Sequence, residues 1–220
     1  MFNHVNHGIE MPKLKQVTLP SGKRTYATPE GNVYPSVTTV LSAQPKPELE
    51  KWKKRVGEEE AKRISKRATT HGTMIHSMAE NYLNNVPNWN EGYSYFDIHH
   101  FDDMKKHLNK TINNVWLQEV QMYSDYLATA GTVDCIAEYE GVLSIIDFKT
   151  SRIEKKREWI TDYFIQEAAY SIMFEERTGK PIRQLVTIIT SPDSVQTFIE
   201  DRDDWIDDFI RMRKEYISGS

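Results

Sequence analysis

The chain has 220 residues, 39% of them hydrophobic, with five Trp and a formal net charge of −4. That is enough apolar material for the core of a single domain over 1–220, and a field of that sign argues against binding a polyanion by bulk charge. One cysteine, Cys135, excludes an internal disulfide, a four-cysteine iron–sulfur cluster and a zinc ribbon. With no apolar run approaching the ~18 residues of a membrane helix, and neither an apolar signal core nor a basic leader, a cytoplasmic protein is expected, with no membrane partner.

Residues 1–14 read as a loose terminal arm. Gln16–Leu19 and Thr25–Ala27 flank the turn Pro20-Ser21-Gly22 and pair as a small hairpin, and a second turn falls at 29–32. Ser36 is the N-cap of a short helix carrying Val37, Val40 and Leu41, which Pro45 and Pro47 break. Glu48 to about Lys66 is helical in character, with Trp52, Val56 and Ile64 as its apolar positions. From Lys46 to Arg67 nine Lys/Arg stand against five Glu, a local net of +4 in an acidic chain. A polyanion has to be gripped here, through Lys51, Lys53, Lys54, Arg55, Lys62 and Arg63. The other reading, of equal weight, is a solvated helix with Glu–Lys pairs such as Glu58–Lys62.

A further helix starts at Thr69 or Thr70 and runs to Leu83, setting His76 and Glu80 one turn apart on one face. Asn84–Asn90 and Gly92 form a polar loop. Asp97–Asn113 follows as a helix with Phe101, Met104, Leu108 and Ile112 at its core spacing, and with His99, His100 and His107 as surface residues. Val115–Tyr123 is a strand with Glu119 inside it, and Leu127–Ala130 leads into a hairpin.

That hairpin joins Cys135–Tyr139 to Val142–Phe148 through Glu140-Gly141, the Gly standing where a tight turn wants a positive φ. With a two-residue loop Tyr139 faces Val142, and the same register carries Asp134 opposite Asp147 and Thr132 opposite Lys149. Opposed side chains share a face with Cβ atoms about 4.5–5.5 Å apart, so two carboxylates and an ammonium gather in one apolar patch. Facing carboxylates persist if one is protonated or if a cation lies between them. A divalent ion held by two carboxylates beside a lysine is apparatus for activating water against a phosphodiester. Cys135 points to the other face, as a small core residue.

A polar connection, 150–158, precedes a helix from about Trp159 to Thr178, stopped by Gly179 and Pro181, with Gln166 and Tyr170 one turn apart. Leu185–Thr190 and Val195–Ile199 are strands around the turn Ser191-Pro192-Asp193-Ser194. A last helix, Asp203–Ile217, turns Trp205, Ile206, Phe209 and Ile210 to the core. The order implies an α/β (α+β) fold: a central mixed sheet flanked by helices, with a mostly helical annex over 36–114, an N-terminal β-hairpin and a core over 115–220.

Asp134 followed by Asp147-Phe148-Lys149 resembles the PD-(D/E)XK nuclease motif, with Val133 at its nominal proline. Gly72…His76 resembles the GxxxH motif of the RecB-like branch, Gly131…Asp134 with Asp147…Thr150 its GxxD…DxKT core, and Gln166…Tyr170 its QxxxY motif. Tyr34-Pro35-Ser36-Val37-Thr38, Trp52-Lys53 and DCIAEYEGVLSIIDFKTS are similar to the exonucleases that maintain mitochondrial genomes and to their phage relatives. The resemblance implies a restriction-endonuclease-like core and a monomeric, Mg²⁺- or Mn²⁺-dependent DNA exonuclease that prefers single-stranded ends, in a bacterial or phage-infected cell, alongside replication or recombination proteins. It assigns metal ligation to His76, Asp134, Asp147 and the Phe148 carbonyl. Lys149 has the attacking water, Gln166 supports the site, and Tyr170 packs or contacts DNA. Tyr34, Ser36 and Trp52 join the basic residues as DNA contacts, and Glu80 and Glu119 are further candidates. A structure-specific endonuclease and a non-catalytic DNA-binding module are the alternatives.

Overall fold

The hairpin forms around Glu140 and Gly141, whose φ values of 50° and 83° make the turn that matches strand twist. It joins β6 (Thr129–Tyr139) to β7 (Val142–Thr150) in a computed structural model that describes residues 1–192 and 194–219. Pairing runs in the expected register from Tyr139↔Val142 to Cys135↔Ile146 and ends there. Past that point the strands part: the Asp134 carboxylate accepts the Phe148 amide at 2.9 Å, a side-chain bond in place of a ladder bond. Asp134 and Asp147 therefore lie just beyond the paired register, and so do Thr132 and Lys149.

On the outer side of β6 lies β5 (Ile112–Ser124), antiparallel, and beyond it β1 (Asn3–His4), parallel. Beyond β7 come β8 (Gln184–Ser191), parallel to it, and β9 (Ser194–Asp201), antiparallel. The sheet is mixed, in the order β1-β5-β6-β7-β8-β9. The N-terminal segment is not a loose arm. Asn3 and His4 pair with Asn114 and Val115, Asn85 bonds the Phe2 main chain at 2.8 and 2.9 Å, and Leu14 is buried.

Strand alternation sorts the core into two layers. Ile136, Ile145 and Leu185 face α1 (Val37–Ser42), α5 (Thr161–Thr178) and α6 (Ile206–Ser218). Cys135, Ile146, Phe148 and Val186 face α3 (Glu58–Leu83) and α4 (Tyr95–Thr111). A second sheet combines β2 (Lys15–Thr18), β3 (Arg24–Ala27) and β4 (Val33–Pro35), one strand more than the expected hairpin.

The basic segment breaks earlier than expected. Pro47 opens α2 (Pro47–Val56) at a position where its missing N–H costs nothing, and Gly57 at φ 88° divides it from α3. No helix starts at Thr69 or Thr70; their hydroxyls bond back to Ser65 and Lys66 carbonyls inside α3. His99 is exposed as expected, but His100 and His107 are half-buried. His100 packs on His71 with ring centres 4.6 Å apart, and His107 Nε2 meets the hydroxyls of Tyr139 and Thr197 at 3.2 and 3.1 Å. Asp193, in the expected β8–β9 turn, lies outside the described residues.

Candidate functional site

Where β6 and β7 part, a cleft of about 780 Å³ opens, lined by side chains from both sheets and from α3 and α5. Asp134 and Lys149 enter it from β6 and β7, His76 and Glu80 from α3, Glu119 from β5, and Gln166 and Tyr170 from α5. The expected set thus converges from five elements far apart in sequence.

His76 Nδ1 stands 3.4 Å from Asp134 Oδ2, and its ring meets Phe148 edge-on. One ligand atom from each of His76, Glu119 and Asp134 lies within 4.8 Å of the other two. Asp147 sits behind them, 2% exposed, with both oxygens engaged: Oδ2 pairs with the Lys149 ammonium, and Oδ1 accepts Gln166 Nε2 at 3.1 Å. The trio placed to hold an ion is His76, Glu119 and Asp134, and the second carboxylate of the motif is held by its own lysine and by Gln166. Lys149 also lies over the Tyr163 ring at 5.0 Å.

The electrostatics follow from burial. Burial lifts the Asp147 carboxyl to about 6; Lys149 opposes this, and Asp134 adds to it. Glu119 is exposed to the cleft, yet crowding by the surrounding protein, then Asp134, lifts its carboxyl to about 7. Burial also disfavours the charged forms of Asp134 and His76, but their mutual bond wins, holding Asp134 below and His76 above their ordinary values. For Lys149 the pull of Asp147 and Asp134 outweighs burial and keeps the ammonium charged. Glu167, not singled out from the sequence, is fully buried beside this group and takes the Thr187 hydroxyl; burial, then Asp147, pushes its carboxyl well up.

Glu119 also has an unusual backbone. Its φ is 45°, inside a strand whose flanking pairs, Gln118↔Cys135 and Val120↔Val133, set it across from Asp134. For a side chain other than Gly this conformation costs about 1–2 kcal/mol. One of the two motif glycines has a local reason too. A Cβ on Gly131 would come within 2.7 Å of Tyr170 Cε1, so the GxxD strand and the QxxxY helix fit only with Gly there. Gly72 on α3 faces Thr150, where a Cβ would sit 3.7 Å from its hydroxyl.

The residues expected to grip DNA lie elsewhere. None of Lys51, Trp52, Lys53, Lys54, Arg55, Lys62 or Arg63 lines the cleft, and four of them are paired one turn back: Lys51–Glu48, Lys53–Glu50, Lys62–Glu59 and Arg63–Glu60. The partner of Lys62 is Glu59, not Glu58. Trp52 is half-buried, and Lys54 and Arg55 are exposed. Tyr34 is outside the lining and donates to Asp125 at 2.8 Å. Ser36 lines the cleft, but its hydroxyl is the α1 cap, accepting the Thr39 amide at 3.0 Å. Arg24 and Tyr26, both in the lining, carried no motif or periodicity that would have marked them.

Two curated proteins are similar in sequence. "Mitochondrial genome maintenance exonuclease 1" of Homo sapiens is 31% identical over 150 residues, 63% of this chain and 43% of that protein. Its Mus musculus counterpart is 30% identical over 132 residues, 56% of this chain and 39% of that one. The chain spans about two fifths of the length of these relatives. No family model matches. Among solved structures, the crystal structure of SSO0001 covers 84% of this chain and 75% of its own, at 16% identity and a TM-score of 0.40.

Proposed function

We propose that this protein is a metal-dependent nuclease of the PD-(D/E)XK class, RecB-like branch, that degrades single-stranded DNA from its ends. The observation that carries the reading is the convergence of His76, Glu119 and Asp134 within 4.8 Å beside the Asp147–Lys149 pair, in one open cleft. Partial similarity to two proteins named as exonucleases supports it. The donor set suits a divalent ion: carboxylate oxygens fit Mg²⁺, and the imidazole makes Mn²⁺ comfortable. His76, Glu119 and Asp134 would hold the ion, with the Phe148 carbonyl and Asp147 as further ligands; the charges of Asp134 and Asp147 oppose each other less once it is bound. Such an ion, when bound, supplies an activated water and offsets negative charge on a phosphoryl group.

The chain's own residues do the rest. Lys149, kept charged by Asp147 and Asp134, places a positive group where charge develops on the phosphate. Gln166 fixes Asp147 by its amide, and so sets where the lysine stands. Tyr170, packed on Gly131, fixes α5 against β6.

The test is a time course on 5′- and 3′-labelled linear single strands and on circular single strands, with Mg²⁺ or Mn²⁺. Linear DNA is degraded, circles survive, and Asp147→Ala and Lys149→Ala are inactive yet folded. Full activity in either variant refutes the mechanism, and cutting of circles replaces the end requirement with endonuclease action.

A further inference from the structure

The cleft holds one cation that the catalytic reading leaves without a task. Arg24 lies on β3, and its exposed side chain lines the same cleft as His76, Asp134 and Lys149. The other two basic side chains of the lining are engaged, His76 with Asp134 and Lys149 with Asp147. Among the described residues the Arg24 guanidinium makes no hydrogen bond and no ion pair.

Its main chain, by contrast, is pinned. The Arg24 amide donates to Thr39 Oγ1 at 3.0 Å, and its carbonyl accepts the Ser36 amide at 2.8 Å and the Thr39 hydroxyl at 3.2 Å. Thr39 is held in turn by the Ser36 hydroxyl at 2.8 Å. The N-cap of α1 therefore fixes the root of the side chain while the tip stays free. The pinned base leaves only the side chain's own rotamers to be ordered on a ligand, and no internal partner has to be displaced first.

The surroundings say which ligand. Glu80, Glu119 and Asp134 line the cleft, so an incoming phosphodiester chain meets its own sign of charge. A divalent ion offsets that only around its ligands, and a neighbouring phosphate needs a separate positive group. A planar guanidinium takes phosphate in two parallel hydrogen bonds, which an ammonium cannot do. The paired lysines of α2 and α3 are spoken for by their own glutamates and do not reach the cleft.

We infer that Arg24 binds a phosphate of single-stranded nucleic acid adjacent to the one at the His76–Glu119–Asp134 cluster, and so sets the strand's position in the cleft. This rests on the nuclease reading and adds the substrate contact that reading lacks. The assay is fluorescence anisotropy of a labelled 12-residue deoxyoligonucleotide on the full chain, with Ca²⁺ replacing Mg²⁺ to suppress hydrolysis, across a range of salt. For single strands the salt slope changes by about 0.7 for each phosphate contact. Arg24→Ala and Arg24→Gln should each lower the slope by about that amount and weaken low-salt binding about tenfold. Arg24→Lys should keep the slope while losing part of the affinity, and Mn²⁺ binding by calorimetry should be unchanged in all three. Wild-type slope and affinity in both charge-free variants overturn the assignment and leave the nuclease reading standing. A wild-type protein that neither binds nor cuts the oligonucleotide overturns both.

Discussion

Adding one methyl group at Gly131 tests whether β6 and α5 are a fitted pair. A Cβ there would lie 2.7 Å from Tyr170 Cε1, 3.0 Å from its hydroxyl and 3.2 Å from Cζ. Carbon atoms prefer about 3.5–4.0 Å, so the ring or the strand must retreat by about 1 Å. Tyr170 has little room to do so: it is 3% exposed and packed in the core layer of α1, α5 and α6. Overpacking of this kind costs about 1–3 kcal/mol, and in a chain of this size each kcal/mol moves the melting point by about 2–4 °C. Gly131→Ala should therefore melt roughly 2–12 °C below the wild type by circular dichroism. The disturbance also reaches the chemistry, because Gln166, one turn earlier on α5, bonds Asp147 Oδ1 at 3.1 Å. At 25 °C, where the variant is still folded, cleavage of labelled single-stranded DNA should fall further than the small unfolded fraction accounts for. A variant that melts and cleaves like the wild type would refute the fitted-pair argument.

Gly72→Ala should do the reverse. Its Cβ would sit at an ordinary 3.7 Å from Thr150 Oγ1 inside α3, so the helix gains about 1 kcal/mol in thermal or urea melts. Glu119→Asn removes a ligand while tolerating the positive φ; Mn²⁺ affinity by calorimetry should fall at least about tenfold, while metal-free stability rises by about 1 kcal/mol. The folded carboxyls of Asp147, at about 6, and Glu119, at about 7, lie above their unfolded values, so the stability they contribute is present below about pH 4 and lost as pH rises through 6–7. His76, raised as well, acts in the same direction, while the contribution of Asp134, lowered, is fully present above about pH 4 and does not change across this window. Metal-free melting temperature should then decline from pH 5 to 8, and Mn²⁺ should raise it far more at pH 8 than at pH 5.5; an equal increment at both would sink this account.

The parts of the fold governed by local rules were legible in the sequence. Positive φ at Gly141, the Gly179 stop after α5 and the Ser36 cap follow from residue type, and the structure has all three. The expected register held while the strands stayed paired and failed where Asp134 replaced a ladder bond, since no pattern of apolar residues records where strands part. The helix boundary was misplaced because Thr69 and Thr70 look like caps, yet inside a long helix their hydroxyls return to the i−4 carbonyls. Motif spacing marked His76, Asp134, Asp147 and Lys149, but nothing in it could place Glu119 within 4.8 Å of His76 and Asp134. That placement depends on a cross-strand neighbour, and Asp147 meets Gln166 and Lys149 instead. The placement of the basic segment was not legible for a related reason: summed charge takes no account of glutamates three residues back on the same helix, or of which side chains line the cleft.

Several features of the cleft each oppose folding, and they coincide. Glu119 holds a strained φ, the Asp147 and Glu119 carboxyls are raised by burial, and Glu167 is a carboxylic acid sealed beside them. Stability alone gives no reason for a carboxyl at the buried Asp147 or Glu167, since an apolar or amide side chain there would be easier to bury, and none for the positive φ at Glu119. A bound cation would relate the first two. It would offset the burial and the Asp134 repulsion that together raise the carboxyls, and it would lie across from the strained Glu119, beside Asp134. Glu167 fits because burial disfavours its charged form. Ionised, it would add a second buried anion beside Asp147 and compete with it for the Lys149 ammonium. With that charge disfavoured, the Asp147–Lys149 pair stands beside the His76–Glu119–Asp134 cluster, the arrangement that the proposed phosphodiester chemistry would use.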